Sequence, residues 1–529
     1  MSLRTVLCAS LILTVIPVRR LSAQARPQPS GAPIVRVTSS LVFLDVTVLD
    51  KKGRPVVKGL TQDDFTITED KKPQRIFSFE APDVHVMSAN SGDDNPEGKA
   101  PVTIFVLDLL NSSFEDFAYI RYMVRRYLAA QPRQLKSPAE LMVLGNRSLE
   151  LLQGYTRSKE DLLYALNHLP PALPYKFEMG FWDDRFNQSY DALQQIALQN
   201  KGVPGRKNII WVGHGGPGIW TAALPWPYET ELKQYVHETV NMLVDARVSL
   251  FVIYPGLKVE GSAFTVSERD ASIDVGDDDP FAGDINFGVL VNETGGRLFY
   301  NRNDVDGEIR ESEQMGSEYY TLTYQPPDGN ADGRFRRIRV TMRDPHLRAV
   351  TKDGYYAPDS SAPVDPRQQT REALVEGAES TIPFAALDLK IAGVVRHPDT
   401  RTADLTVQLK TKNVGWQATD DGKSTANLLM AGVSLTGRRY ILASIVIEVF
   451  LSADTQDPVR LAASVTSLAL TIRIPPKTQS VRVVIETAEG GRMGAAELNR
   501  RDLDASPAVP TPEPQLTRRP PDQVVHAGP

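Results

Sequence analysis

The 529-residue chain has one cysteine, Cys8, so neither a disulfide framework nor a cysteine-bound metal can hold it together. Its seven histidines (His85, His168, His214, His237, His346, His397 and His526) show no HxH or HExxH spacing, which argues against a zinc hydrolase. There is no G-x-S-x-G elbow, no P-loop lysine and no local Ser/His/Asp cluster. A catalytic dyad built from distant positions stays open, because such groups meet only in the fold. No basic block occurs either. With 59 Lys+Arg against 65 Asp+Glu, the formal charge is −6, the wrong sign for holding nucleic acid or an anionic membrane. Past the amino terminus, no apolar run is long enough to cross a bilayer.

What is present is an ordinary globular composition, 41% hydrophobic and 23% charged, in a chain too long for one core. Arg4, the apolar stretch 6–18 and the triplet Leu21-Ser22-Ala23 read as a secretory signal peptide over residues 1–23. Pro17 and the Arg19-Arg20 pair break the stretch too early to span a membrane comfortably, and an uncleaved anchor is the alternative. Gln24 stands where a lipoprotein would carry cysteine, so no lipid anchor is implied. The mature chain is expected to be exported, to the periplasm or the cell exterior, with no transmembrane segment.

Residues 34–87 alternate at period two, with Val42, Leu44, Val46 and Val48 on one face, and predict strands of a β-sandwich. Residues 101–315 follow another pattern. Near-continuous apolar runs at 102–107, 141–144, 209–212 and 250–253 alternate with amphipathic stretches, predicting a doubly wound α/β domain with a mostly parallel sheet. Ser113 with Asp116, and Ser158 with Asp161, have capping-box spacing ahead of two helices. Further helices are predicted over 190–198, 229–246, 285–292 and 305–315. Strand patterning returns at 318–358, where the strands are expected to complete the amino-terminal sandwich around an inserted α/β domain. Another β-rich domain is predicted over 382–488, and a proline-rich, disordered tail over 506–529.

Some motifs resolve to bland readings. Gly213-His-Gly-Gly-Pro-Gly218 spells GxGxxG after a strand, but Pro217, Pro225 and Pro227 disfavour the helix that would hold a pyrophosphate, leaving a glycine-rich loop. Asp328-Gly-Asn-Ala-Asp-Gly333 opens like an EF-hand, but Arg339 occupies the twelfth position, so it reads as a hairpin turn. Asp277-Asp278-Asp279 reads as a solvated acidic loop. Trp211, Trp220 and Trp226 read as packing or, if exposed together, as an interface patch.

Gly59-Leu-Thr-Gln-Asp-Asp-Phe65, Gly205-Arg-Lys-Asn-Ile-Ile-Trp211, Thr294-Gly-Gly-Arg297, Tyr319-Tyr-Thr-Leu-Thr-Tyr324 and Gly354-Tyr-Tyr-Ala357 together resemble the acidobacterial-type von Willebrand factor A-related family. The resemblance covers residues 35–357. It implies an open α/β fold that usually binds a divalent cation at the carboxyl ends of its strands, with one coordination position left for a partner's carboxylate. The family pattern is Asp-x-Ser-x-Ser after the first strand, a threonine in a later loop and an aspartate after the central strand. Asp108 and Ser112 match, but the intervening serine position holds Leu110. The threonine falls near Asn187, and the final aspartate on or beside His214. One carboxylate and one hydroxyl, with Asn111 and Ser113 as partial substitutes, leave little hard-oxygen density for Mg²⁺ or Mn²⁺.

The expectation is an exported, non-enzymatic interaction or adhesion-type protein with a degenerate metal site and no resident cofactor. Its ligand-binding rim would hold Asp108, Asn111, Ser112, Ser113, Asn187 and His214, facing a protein partner or a cell-surface ligand. Two alternatives stand beside it. In one, Asp108 and Ser112 hold Mg²⁺ or Mn²⁺ and a ligand acid completes the shell. In the other, the protein is an extracytoplasmic hydrolase using His214 near Asp108.

Overall fold

The computed structural model describes residues 41–87, 99–169, 182–221, 224–255, 279–281, 284–302, 304–326, 332–358, 371, 374–375, 377–488, 490–509 and 524–526. The signal-peptide expectation, Asp277, Asp278, Asp328 and most of the proline-rich tail lie outside them. Among the described residues, no helix is long and apolar enough to cross a membrane.

The described residues open with four strands: β1 (Val42–Leu49), β2 (Phe65–Glu69), β3 (Lys72–Gln74) and β4 (Ile76–Glu80). The α/β segment follows with β5 (Val102–Asp108), α1 (Phe114–Ala130), β6 (Gln134–Leu144), β7 (Leu149–Ser158), α2 (Lys159–Asn167), α3 (Trp182–Asn200) and β8 (Lys207–Val212). It continues with β9 (Ile219–Trp220), α4 (Trp226–Asp245), β10 (Val248–Pro255), β11 (Asp284–Ile285), α5 (Phe287–Glu293), β12 (Arg297–Arg302) and α6 (Val305–Ser317). Then come β13 (Tyr320–Tyr324), β14 (Phe335–Met342), β15 (Arg348–Val350) and β16 (Gly354–Tyr356).

The central sheet has the order β12-β10-β8-β5-β6-β7. Five strands are parallel and β7 runs antiparallel to β6 at one edge. From β5 the chain winds outward through β6 and β7, then returns to β8 and winds the other way. The order therefore reverses between β5 and β8, and the loops after these two strands form the crevice where such sheets bind ligands. Every residue of β5 and β8 is buried, as a sheet covered on both faces requires. Ile104, Val106 and Trp211 pack on α3 and α4 residues such as Phe186, Leu193, Val236 and Val240. Phe105 and Leu107 pack the opposite way, on Ile120 and Val124 of α1 and Ile309 of α6.

The strands on either side of this segment pair with each other. β1 lies antiparallel to β13, from Val42 opposite Tyr324 to Val46 opposite Tyr320, and β2 lies antiparallel to β14. The resulting sheets, β15-β1-β13-β4 and β16-β14-β2-β3, share a core of Leu44, Val46, Phe65, Ile67, Tyr320, Leu322 and Ile338.

A buried arginine joins these sheets to the α/β segment. Arg206, just ahead of β8, is 1% exposed. Its Nε donates to Ser249 Oγ (2.9 Å), Nη1 to Thr47 Oγ1 (2.9 Å) and Nη2 to the Gly295 carbonyl (3.1 Å). Beside it, Arg247 grips Asp45 of β1 through Nε (3.1 Å) and Nη2, and Thr321 Oγ1 donates to the same carboxylate (2.9 Å). Burial pushes the Asp45 carboxyl up, but Arg247 outweighs it and holds the group below the usual range. Gly205 sits at φ +82, and a Cβ there would stand 2.5 Å from the Ala100 carbonyl oxygen.

The carboxy-terminal part holds β17 (Leu389–His397), β18 (Thr402–Lys410), β19 (Gln417–Ala418), β20 (Ser424–Leu435), β21 (Ile441–Ala453), β22 (Val465–Arg473), β23 (Ser480–Thr487) and β24 (Met493–Asn499). The paths β17-β18-β22 and β24-β23-β20-β21 enclose Leu405, Val407, Leu428, Met430, Leu470, Val483 and Ile485. β24 extends the region beyond residue 488. Its Met-Gly-Ala-Ala start has little β-propensity, and pairing with β23 recruits it.

Candidate functional site

The loops after β5 and β8 meet at the point where the strand order reverses. Asp108 ends β5, is fully buried, and has both carboxylate oxygens engaged. Oδ1 accepts from the Asn111 backbone N–H (2.9 Å) and from Asn111 Nδ2 (3.1 Å). Oδ2 accepts from Trp211 Nε1 (3.0 Å) and from the Gly215 backbone N–H (2.9 Å). Four N–H donors thus converge on one carboxylate.

Local sequence explains the convergence. The N–H groups of Leu109 and Leu110 both donate to the Leu144 carbonyl (3.0 and 2.9 Å), curling the chain back so that Asn111 faces Asp108. Leu110, where the family has serine, is 2% exposed and joins the core on the α3 side. Gly213, at φ +148, lets the β8 loop close on the site, since a Cβ there would lie 2.4 Å from Asp108 Cβ. Trp211 sits opposite Val106 in the β5–β8 register, two residues before Asp108 and on the same face of the sheet.

A second layer comes from α3. Arg185 Nε donates to Asn111 Oδ1 (3.0 Å), and Asn111 Nδ2 donates to Ser189 Oγ (3.0 Å). Ser189 Oγ in turn donates to the Arg185 carbonyl (2.8 Å). Arg185 is 6% exposed and Ser189 is fully buried, four residues apart on one helical face. Asn187 lies between them in sequence but is exposed, and its carbonyl accepts from Tyr235 Oη (3.5 Å). The expectation of a loop at Asn187 is corrected: the position is inside α3, and Ser189 is the side chain that reaches the cluster.

Ser112 is 5% exposed, and its hydroxyl has no hydrogen-bond partner. Ser113 caps α1, its Oγ accepting from the Asp116 N–H (3.1 Å) and donating to Asp116 Oδ2 (2.8 Å). His214 stands edge-on to the Tyr254 ring, centroids 4.0 Å apart, with Nε2 3.5 Å from Asp116 Oδ2. That distance lies at the outer limit of a hydrogen bond. Burial pushes the Asp116 carboxyl up, but His214 and the Ser113 hydroxyl outweigh it and hold the group below its ordinary value. Its folded-state pKa is thus below the unfolded one. The stability it contributes is in place above about pH 4 and is lost as pH falls through the folded value. Ser113→Ala should cost about 1 kcal/mol at neutral pH and less at pH 3, read from urea midpoints at both.

The structure therefore brings Asp108, Asn111 and Ser112 to one place, sets Ser113 and His214 around Asp116 beside it, and leaves Asn187 outside. Trp211, which bonds the carboxylate, and Ser189 and Arg185, which bond Asn111, are site residues that the sequence reading does not include. The available signal was the i, i+4 spacing of Arg185 and Ser189 ahead of Tyr190. Among the described residues, no three His, Cys, Asp or Glu side chains gather as an ion would require.

No protein-family model matches the chain, and no curated protein matches it. Among solved structures it is similar to the conserved hypothetical protein BatB from Bacteroides thetaiotaomicron, at 14% identity and TM-score 0.24, over 41% of this chain and 96% of that one. It is similar to the SpRpn10 VWA domain at 13% identity and TM-score 0.22, over 41% and 96%. It is also similar to the manganese-loaded TRAP protein of Plasmodium vivax, at 12% identity and TM-score 0.26, over 49% and 96%. The fold itself rests on the strand order, with one antiparallel edge strand, its reversal between β5 and β8, and Asp108 with Ser112 at the reversal. The α/β domain of this chain therefore has the open, doubly wound sheet that the family resemblance implies, with Asp108 at its point of reversal.

Proposed function

We propose that this is an exported, non-enzymatic interaction protein whose ion pocket has been filled by the chain's own groups. The rim at the carboxyl ends of β5 and β8 would then recognise a protein partner or cell-surface ligand by shape and hydrogen bonding. The observation that supports this reading is the saturation of Asp108. A hard cation needs converging lone pairs, whereas the groups around this carboxylate are N–H donors. Displacing them would orphan buried donors at about 1–3 kcal/mol each. The buried Arg185 guanidinium, bonded to Asn111, already supplies positive charge beside the carboxylate.

Such a rim would offer Phe114, 61% exposed directly after the capping serine, and the partly buried edge of His214. The flanking β-sheets would act as spacers or further contacts. A hydrolase reading gains nothing from His214, whose nearest charged neighbour is Asp116 rather than a hydroxyl nucleophile.

Two measurements test the proposal. Titrating the mature chain with MgCl₂ and MnCl₂ in a calorimeter should give no saturable heat at millimolar ion. Crosslinking the chain on cells should capture its partner equally with and without EDTA, and Phe114→Ala with His214→Ala should reduce that capture. Capture that disappears in EDTA would return the metal-dependent reading.

A further inference from the structure

Away from the rim, β14, β15 and the turn between α5 and β12 wall a cavity of about 310 Å³. Three arginines line it, Arg337, Arg339 and Arg348, against one acidic residue, Asp353. Arg337 and Arg339 are two apart on β14 and so share a face of the strand. Neighbouring arginines in this region have acidic partners: Arg336 donates to Asp332 (2.7 Å), and Arg343 lies 3.7 Å from Asp64. Arg337, Arg339 and Arg348 close no ion pair among the described residues.

The wall also holds polar atoms that the fold leaves without partners. Arg337 Nε and Thr351 Oγ1 are both shielded from solvent and unpaired. Buried polar groups rarely stay unsatisfied, and these two belong to residues that line the cavity. Burial disfavours the anionic form of two acids nearby. Burial pushes the Asp353 carboxyl up, against the pull of Arg337 and Arg339. Burial, and then the charge of Asp353, raise Glu293 well above the usual range, and its Oε2 is also unpaired.

We infer that this cavity binds a small molecule through a dianionic oxyanion group, a phosphate or sulfate. Three cationic residues against one acidic residue leave a surplus of about two charges, which a dianion cancels. Planar guanidinium forks suit its several oxygens, where an ammonium would act as a point charge. The volume limits the remainder of the ligand to a short substituent. Because the cavity spans β14, β15 and the α5–β12 turn, an occupant would also brace the joint between the paired sheets and the α/β domain. The site does not depend on the rim reading, since no rim residue lines it.

The test titrates the full mature chain with inorganic phosphate, sulfate and phenyl phosphate at fixed ionic strength, by calorimetry and thermal unfolding. One saturable site per chain is expected, with a ligand-dependent rise in Tm. Arg339→Gln with Arg348→Gln, both exposed positions, should weaken it by roughly tenfold or more. Thr351→Val, which changes no charge, should weaken it as well. The charge-matched pair Arg125→Gln with Arg310→Gln, on α1 and α6, should leave it unchanged. Tighter binding of phenyl phosphate than of phosphate would mark the natural ligand as an ester, and equal binding as the free ion. Absence of saturation at millimolar ligand, or equal weakening by the α1 and α6 pair, would overturn the assignment.

Discussion

Arg206→Met should lower the unfolding free energy by about 3–5 kcal/mol, as expected when one partner of a buried charged network is removed. Methionine fills much of the volume, so the loss comes from polarity rather than from a cavity. Ser249 Oγ, Thr47 Oγ1 and the Gly295 carbonyl each lose a charged donor. Asp45 loses one of the two guanidinium groups that offset its burial. Arg206→Lys should recover only a small part, because one ammonium cannot reach β1, β10 and the α5–β12 turn at once. The same change should loosen the coupling between the paired sheets and the α/β domain. Urea unfolding followed by tryptophan fluorescence and by far-UV circular dichroism should then give separate midpoints where the wild type gives one. A loss below 1 kcal/mol with coincident midpoints would remove Arg206 from this joining role.

The stretches that carry the family resemblance owe their residues largely to that joint. Gly205 is fixed by the close approach of the Ala100 carbonyl, and Arg206 by its three-way bonding. Thr294 Oγ1 accepts from the Leu250 N–H (3.1 Å), and a Cβ at Gly296 would lie 1.8 Å from the Leu250 carbonyl oxygen. The Tyr319 hydroxyl accepts from the Arg206 N–H (3.3 Å) and donates to the Lys99 carbonyl (3.2 Å). The resemblance therefore reads an architecture, and it says much less about what the rim binds.

Legibility in the sequence followed burial. β5, β8 and β10 are covered on both faces and stand out as apolar runs. β7 is an edge strand with Gly154 inside it and shifts of register against β6, so its sequence shows no clean alternation. The start of α3 is hidden for another reason: its first two turns are mostly polar, and two of those polar residues, Arg185 and Ser189, face inward to the site. Near Asp108 the local segment was readable, because residues 108 to 116 follow one another through a turn and a cap. The contributions of Trp211 and α3 were not, because they depend on strand register and on helical phase. Asn187 is two residues from both Arg185 and Ser189, which on a helix is about 200° of rotation, onto the opposite face.

The same geometry sets opposite expectations for Asp108 under the two accounts of the site. If Asp108 serves as an acceptor for the fold, Asp108→Ala strands the N–H groups of Asn111, Gly215 and Trp211 in a buried space. At about 1–3 kcal/mol for each unsatisfied group, with incomplete additivity, the total should reach about 3 kcal/mol or more. Asp108→Asn should cost nearly as much, since it turns an amide donor toward a cluster of donors. If Asp108 were instead a ligand in a vacant ion pocket, its charge would be a burden without metal, and the alanine variant would be as stable as the wild type or more so. Adding Mg²⁺ would then stabilise the wild type alone, by RT ln(1 + [L]/Kd). Thermal and urea unfolding of both proteins, each in 5 mM EDTA and in ~10 mM MgCl₂, separates the accounts without knowledge of the partner. A large loss in Asp108→Ala and no magnesium dependence in the wild type is the expected outcome. An indifferent substitution together with a magnesium-dependent Tm would restore the cation.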